Sequence, residues 1–160
     1  MDDIDKIKDQ WFRQRPDLDT DPMALIGRLK RVARSLTQEM DKTFAKHGLS
    51  SADFDVLATL LRSGPPHALT PNQLLESMMI TSGTMTNRIN QLEKAGYIER
   101  VASKEDKRSV TVTLTKAGND KINNAVTEHV LTQKRLVSPF SEQERDQLNS
   151  LLRKYIAADT

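Results

Sequence analysis

The stretch of sequence that decides the fold spans residues 97–114 and reads YIERVASKEDKRSVTVTL. Segments 97–101 and 109–114 are rich in β-branched or aromatic residues, and the second alternates with period two, which is typical of strands. The connector between them is polar and charged, so the pair predicts a β-hairpin with an exposed tip. Because an isolated hairpin is unstable in water, this one must pack on neighbouring helices.

Helices are predicted on both sides of the hairpin, because apolar residues recur there every three or four positions. Before the hairpin, the pattern predicts helices at 2–15 and 21–46, with Asp21 as N-cap and Pro22 at the first helical position. Three further helices are predicted to begin at Ser50, Thr70 and Thr81. The first two begin with capping boxes, in which Asp53 and Gln73 are the partners three residues on. After the hairpin, the pattern predicts helices near 116–136 and from Ser141.

The second and third of the helices between residues 51 and 95 are short and joined by a tight turn around Met79 and Ile80. A strand, a tip and a second strand follow, which together make a helix-turn-helix with a β-wing. The predicted fold class is therefore mainly α with a small β-wing: a winged helix-turn-helix core flanked by long N- and C-terminal helices. Such a core can place a helix in the major groove of DNA.

Composition sets the broad class of the protein. The 160 residues favour one domain, and the absence of cysteine excludes disulfides and thiolate chemistry. No apolar run approaches the ~18 residues of a membrane span, and no signal peptide is found, so a cytoplasmic protein with no membrane partner is expected. The net charge of +2 allows a nucleic-acid partner without demanding one.

An enzyme is not indicated by the sequence. His47, His67 and His129 are scattered without metal-ligand spacing, and no glycine-rich phosphate loop or nucleophile elbow is present. No catalytic residue, metal or cofactor is therefore expected.

The wing sequence resembles a known signature. Asp106 and Arg108, followed after five residues by Leu114 and Thr115, match the wing signature of the MarR family of bacterial transcription regulators. The resemblance covers nearly the whole chain and implies a homodimer that binds a pseudo-palindromic operator in double-stranded DNA. It implies one domain over 1–160, with dimerisation helices and a ligand-pocket wall at 1–47, a winged lobe at 50–115, and dimerisation helices at 116–160.

DNA contacts are expected from the outer face of the helix beginning at Thr81 and from the wing. A helical wheel puts Met85, Ile89 and Leu92 on the buried side, and the opposite face carries amides and hydroxyls but no acid. Asn and Gln can bond adenine edges, although an ordinary solvated face is the alternative. The candidate DNA-binding residues are Ser82, Gly83, Thr86, Asn87, Asn90, Gln91, Lys94, Lys104, Asp106, Lys107 and Arg108. Arg108 suits the minor groove or a phosphate, and Asp106 would orient it.

Residues 9–20, DQWFRQRPDLDT, resemble the extra N-terminal helix of the urate-responsive branch of that family. The resemblance implies a urate pocket formed by Trp11, Asp55 and Arg88, with Arg100 at the start of the wing relaying the signal. The wheel independently puts Arg88 at the edge of the buried side. The effector is therefore expected to be a small anion, urate or a related purine.

Alternatives remain for each of these residues. Arg88 could form a salt bridge within the winged core, Trp11 could simply anchor the first helix, and Asp55 has a surface position as its default. For the whole protein, the alternatives are a MarR regulator answering phenolic or aromatic carboxylates, and a winged-helix protein-interaction module. Repression is favoured over activation by the family resemblance alone.

Overall fold

The computed structural model describes residues 1–78, 85–102 and 109–158. Within these ranges the elements are α1 Asp3–Gln14, α2 Asp21–Lys46, α3 Ser51–Arg62, β1 Ala68–Leu69, α4 Pro71–Ser77, α5 Met85–Lys94, β2 Ile98–Ala102, β3 Val110–Leu114, α6 Lys116–Leu136 and α7 Glu142–Ala158. The predicted fold class, mainly α with a small β-wing, is confirmed. The chain forms two compact units, Met1–Glu39 and Met40–Thr160, with the boundary inside α2.

In the N-terminal unit, α1 is attached to α2 largely by ion pairs. Arg28 Nε donates to Asp2 at 2.9 Å, and Arg31 Nη1 donates to Asp3 at 3.0 Å. The hydrogen bond from Arg28 is the main cause that lowers the pKa of Asp2 to about 2. None of the residues of α1, all of which the structure describes, is fully buried. Because exposed ion pairs contribute little and are screened by salt, α1 is weakly attached.

The N-cap predicted for α2 is wrong by one residue. The helix begins at Asp21, and the carbonyl of Thr20 accepts the amide of Ala24 at 3.1 Å, so Thr20 occupies the capping position. Thr20 is also buried, whereas Asp21 is exposed. Pro22 is therefore the second helical residue, and Asp21 lies in the first turn, where the helix dipole favours an acid.

The capping boxes predicted at Ser50 and Thr70 are confirmed. The Ser50 Oγ accepts the amide of Asp53 at 3.1 Å, and the Asp53 carboxylate accepts the Ser50 amide at 3.0 Å. Thr70 and Gln73 exchange the same two bonds at the start of α4. These reciprocal bonds satisfy amides that the first turn of a helix leaves unpaired, so the chain's local sequence fixes where α3 and α4 begin.

The wing sheet has three strands in the described part of the chain, where the sequence predicted two. Strands β2 and β3 pair antiparallel with Arg100 opposite Val112, and their bounds agree with the prediction to within one residue. The additional strand, β1, pairs Ala68 with Thr113 on the other edge of β3, giving the order β1-β3-β2. A central position explains the complete burial of Val112.

The core of the C-terminal unit lies between α3, the winged elements and α6. Its fully buried large side chains are Leu57, Leu60, Leu74, Ile98, Ile122, Val56, Val112 and Thr59. A polar contact accompanies them where Thr43 and Thr132 bring their hydroxyl oxygens to 2.8 Å. The wing and the helix-turn-helix therefore share one core, which fixes α5 relative to the sheet. None of the helices in residues 1–78, 85–102 and 109–158 has the length and apolar character to cross a membrane.

A close backbone approach in this core involves Gly118 in the first turn of α6. A Cβ added at Gly118 would lie 1.8 Å from the carbonyl oxygen of Tyr97. We therefore predict that Gly118→Ala lowers the free energy of unfolding by about 1–3 kcal/mol or more. The backbone at Tyr97 or Gly118 must move to make room for the added methyl group. The measurement is chemical denaturation. Gly27→Ala is the matched control, since its Cβ would meet the flexible end of Ile4 at 3.3 Å. Equal stability of the two variants would contradict the prediction.

A second prediction concerns His129, which lies against the stacked rings of Phe44 and Phe54 with centroids 4.9 Å from each. Its Nδ1 is buried without a hydrogen-bond partner among the described residues, and burial lowers its pKa below 6.5. The unfolded chain therefore takes up this proton at a higher pH than the folded one. The stabilising contribution of the neutral, buried His129 is complete above about pH 6.5 and is lost as the pH falls.

We expect the melting temperature to decrease below that pH, and His129→Leu to flatten the decrease. The readout is a series of thermal melts between pH 5 and 8. His67→Asn serves as control, because His67 has a positive φ of 58° that asparagine tolerates. An unchanged profile in His129→Leu would show that other groups cause the acid loss.

Candidate functional site

The outer face of α5 matches the helical wheel. Ile89 and Leu92 are buried in the core, and Met85 packs against it. On the opposite side, the residues exposed to solvent are Thr86, Asn87, Asn90, Gln91 and Lys94. This face offers amide, hydroxyl and ammonium groups and no acid, a set suited to base edges and phosphates.

The remaining candidate DNA-binding residues lie outside the described ranges. They are Ser82, Gly83, Lys104, Asp106, Lys107 and Arg108, and the same holds for the turn at Met79 and Ile80 and the predicted cap Thr81. The described parts of the wing, β2 and β3, end on either side of its tip. The roles assigned to these residues therefore stay predictions.

Arg88 is directed toward α3 and away from the outer face of its helix. Its Nη1 lies 3.5 Å from Asp53 Oδ1, with 31% of the Arg88 side chain and 15% of the Asp53 side chain exposed. The other carboxylate oxygen of Asp53 accepts the Ser50 amide and hydroxyl in the capping box. One carboxylate therefore connects the first turn of α3 to α5.

Asp55 lies in the same helix as Asp53 and is buried, with 8% of the residue exposed. The surface position expected as its default is wrong. Asp55 belongs to the interior side of α3, whose buried residues are Asp55, Val56, Leu57, Thr59 and Leu60. Asp53 and Asp55 are two positions apart on α3, so their side chains point to different sides of this helix, and the contact with Arg88 is made by Asp53.

Arg100 connects the wing to α5. It projects from β2, donates from Nη2 to Asn90 Oδ1 at 2.6 Å, and pairs through Nη1 with Glu93. Asn90 and Glu93 are three residues apart on α5, so they form neighbouring positions on one helix surface. The bridge joins the sheet to the helix through side chains in addition to the core.

Trp11 lies in the N-terminal unit, with 39% of the residue exposed. That unit contains a small cavity of about 120 Å³, lined by Ile4, Ile7, Lys8, Thr20, Met23, Ala24 and Gly27. Trp11 is not among these residues, and the volume is below the roughly 300 Å³ at which ligand pockets begin. This cavity is therefore not the effector pocket that the sequence predicts.

Asp53 contacts Arg88, although the sequence indicated no role for Asp53 beyond helix capping. Asp53 was read as the third residue of a capping box, and its position there left one carboxylate oxygen for Arg88. The signal that could have found it is the capping motif itself, because a box acid faces back toward the helix start. Among the described residues, no cluster of His, Cys, Asp or Glu could hold a metal ion.

Known proteins provide the comparison for this arrangement. The model of the MarR family matches residues 47–109. The transcriptional regulator PecS of Dickeya dadantii is 43% identical over 150 residues, covering 94% of this chain and 90% of its own.

Two solved structures share the fold. Sco3205 of Streptomyces coelicolor, a MarR family regulator in complex with DNA, has a TM-score of 0.77 at 20% identity, covering 88% of this chain and 89% of its own. BpsR of Bordetella bronchiseptica, whose DNA binding is regulated by 6-hydroxynicotinic acid, has a TM-score of 0.69 at 24% identity, covering 79% and 89%. With the identity to PecS over nearly its full length, these findings show that the chain belongs to the MarR family of DNA-binding transcription regulators.

Proposed function

We propose that this protein is a repressor that binds a pseudo-palindromic operator as a homodimer and releases it when urate or a related purine anion binds. The observation that carries the proposal is the position of Arg88. It is a cation on the recognition helix, yet it pairs with Asp53 of α3 and is only partly exposed. An anion that replaces Asp53 as the partner of Arg88 acts directly on the helix that reads DNA.

DNA recognition is assigned to the exposed side of α5. Asn87, Asn90 and Gln91 offer amides for base edges, and Lys94 offers a charge for phosphate. In the wing, Arg108 would enter the minor groove, oriented by Asp106. Placed contacts of this kind suit a chain whose net charge of +2 is small.

Homodimerisation is assigned to the terminal helices, residues 1–47 and 116–160. Large apolar side chains are exposed on α2, such as Leu25 at 61%, and on α7, such as Leu151 at 65%. Apolar surface of this extent is a liability for a monomer and is typical of a symmetric interface. A dimer also gives each half of an inverted repeat its own recognition helix.

The effector is assigned to Trp11, Asp55 and Arg88 on three chemical grounds. The guanidinium of Arg88 supplies charge and a fork of donors for the oxygens of a planar anion. Trp11 supplies a flat apolar surface and an indole N–H. Asp55 supplies acceptors for the ring N–H groups of a purine. A simple carboxylic acid has no such N–H groups.

Release of DNA follows by linkage. An operator fixes the separation and orientation of the two recognition helices in a dimer. An anion that pairs with Arg88 weakens the Arg88–Asp53 contact and thereby favours another position of α5. A ligand with higher affinity for that second arrangement must lower the affinity for DNA. Linkage makes the factor equal to the one by which DNA lowers the affinity for the ligand.

Aromatic carboxylates are the second candidate effectors. Arg88 would accept any planar anion, and BpsR, which shares the fold, responds to 6-hydroxynicotinic acid. The two classes differ in the ring N–H donors that urate presents to Asp55. Asp55→Asn should therefore reduce the response to urate more than the response to salicylate.

For DNA binding, we predict that selection from a randomised duplex pool recovers an inverted repeat with half-site centres about one helical turn, ~10 bp, apart. Sedimentation should show a dimer on this duplex. Arg108→Ala should reduce operator affinity by about tenfold or more, and Asp106→Ala should reduce it less.

The matched control is Arg153→Ala, which removes the same charge from an exposed position on α7. All affinities are measured at one salt concentration, because phosphate contacts make binding depend on salt. A monomer on DNA, or equal affinities of wild type and Arg108→Ala, would contradict the assignment. Failure to select any sequence would favour the protein-interaction module.

For the effector, we predict that urate dissociates the operator complex and changes the fluorescence of Trp11, the chain's single tryptophan. Arg88→Ala and Trp11→Phe should raise the urate concentration for half-release by about tenfold. Asp53→Asn should lower that concentration, because it removes the charge that competes with urate for Arg88 while keeping a side-chain oxygen for the capping box.

Arg62→Ala is the control for this series, since Arg62 is a second arginine of the winged lobe that bonds Thr59 and the Ser77 carbonyl instead of α5. Its effect on urate release should be small. If saturating urate causes neither release nor a fluorescence change while salicylate causes release, the urate assignment fails and the aromatic carboxylate candidate replaces it.

A further inference from the structure

The side chain of Asn90 is oriented by Arg100 before any DNA arrives. Arg100 Nη2 donates to Asn90 Oδ1 at 2.6 Å, and its other terminal nitrogen pairs with Glu93. The guanidinium is thus held at two points on α5. The backbone of Arg100 is fixed in β2, opposite the buried Val112. A side chain with three such constraints keeps its geometry better than a freely solvated arginine.

The chemistry of this contact decides which end of the Asn90 amide faces Arg100. A guanidinium has five donors and no acceptor, so it binds the oxygen and repels the NH₂ group. The oxygen of Asn90 is therefore engaged by a cation, and the NH₂ group points elsewhere. A free asparagine in the same place could rotate by 180° and present either group.

We propose that Arg100 is a positioning residue that makes Asn90 a donor-only reader of the major groove. This inference rests on the proposed function, since it assumes that α5 lies in that groove. An asparagine pairs with adenine by using both amide ends, the oxygen on N6–H₂ and the nitrogen on N7. Because Arg100 takes one lone pair of the oxygen and holds the amide in one orientation, Asn90 favours bases that present acceptors alone, which are guanine through O6 and N7 and thymine through O4.

Glu93 has a distinct part in this arrangement. It is the one acid of α5, with 37% of its side chain exposed, and its carboxylate is paired with the same guanidinium. The pair keeps Arg100 from turning to a phosphate, where it would release Asn90. Removal of Arg100 therefore has two consequences: it frees the Asn90 amide, and it leaves Glu93 unneutralised near DNA.

The experiment separates these consequences by using ratios of affinity. Wild type and Asn90→Ala are compared on single-base variants of the operator selected by the wild-type protein, which identifies the base pair that Asn90 contacts. Affinities for all four bases at that position are then measured for wild type, Arg100→Ala and Arg100→Lys. Repulsion by Glu93 lowers every affinity alike and cancels in the ratio of one base to another.

The wild-type protein should prefer guanine or thymine at this position. In Arg100→Ala, the preference for adenine relative to that base should rise about tenfold, with no change of ratio at other positions. Arg100→Lys should restore part of the wild-type preference, because an ammonium donates to the oxygen but cannot reach both partners. Glu99→Ala is the control, since Glu99 is the exposed neighbour of Arg100 in the same strand.

A wild-type preference for adenine at the Asn90 position would overturn the inference. So would equal base ratios in wild type and Arg100→Ala, or an Asn90→Ala variant that alters no position. Thermal melts of Arg100→Ala check that the fold is kept, which is expected because 36% of this side chain is exposed. Failure of the wild-type protein to select any operator would instead sink the proposed function.

Discussion

Helix α5 has ten residues and must satisfy three different surroundings at once. Ile89 and Leu92 fill the core, Asn87 and Gln91 face outward, and Arg88 reaches back to α3. A helix with 3.6 residues per turn can do this because successive positions are rotated by about 100°. The functional assignments made to α5 depend on that division, because the buried side fixes where the outward and α3-facing side chains lie.

The sequence predicted the local features of this arrangement well. The capping boxes at Ser50 and Thr70 are set by residues three positions apart, and such short-range signals survive in any tertiary context. The apolar spacing in α6 and the alternation in β3 likewise predicted elements within one residue of those observed, whereas the start predicted for α5 at Thr81 lies outside the described residues. The positive φ of Gly96, which ends α5, also follows from local sequence.

Features that depend on distant neighbours were not predicted. Strand β1 has two residues and thus no alternation, and it is defined by its partner Thr113 in β3. The surface position given as the default for Asp55 rested on the polar neighbours within α3 alone, whereas packing buries that side as well. For Arg88, the wheel gave the direction but not the partner, since Asp53 is 35 residues away in the chain.

The two arginine contacts of α5 differ in a way that suits a switch. Arg88 is a donor of α5 to a carboxylate on α3, whereas Asn90 and Glu93 of α5 accept from Arg100 on β2. On the helix, positions 88 and 90 are about 200° apart, so the two contacts hold α5 from nearly opposite sides. An ion pair at 3.5 Å between partly exposed groups is weak, and a ligand shifts a conformational equilibrium only by its differential affinity. In the proposed mechanism, a small anion competes for Arg88 while the shorter bond to Asn90 persists, so that α5 tilts about its contact with the wing without leaving the core.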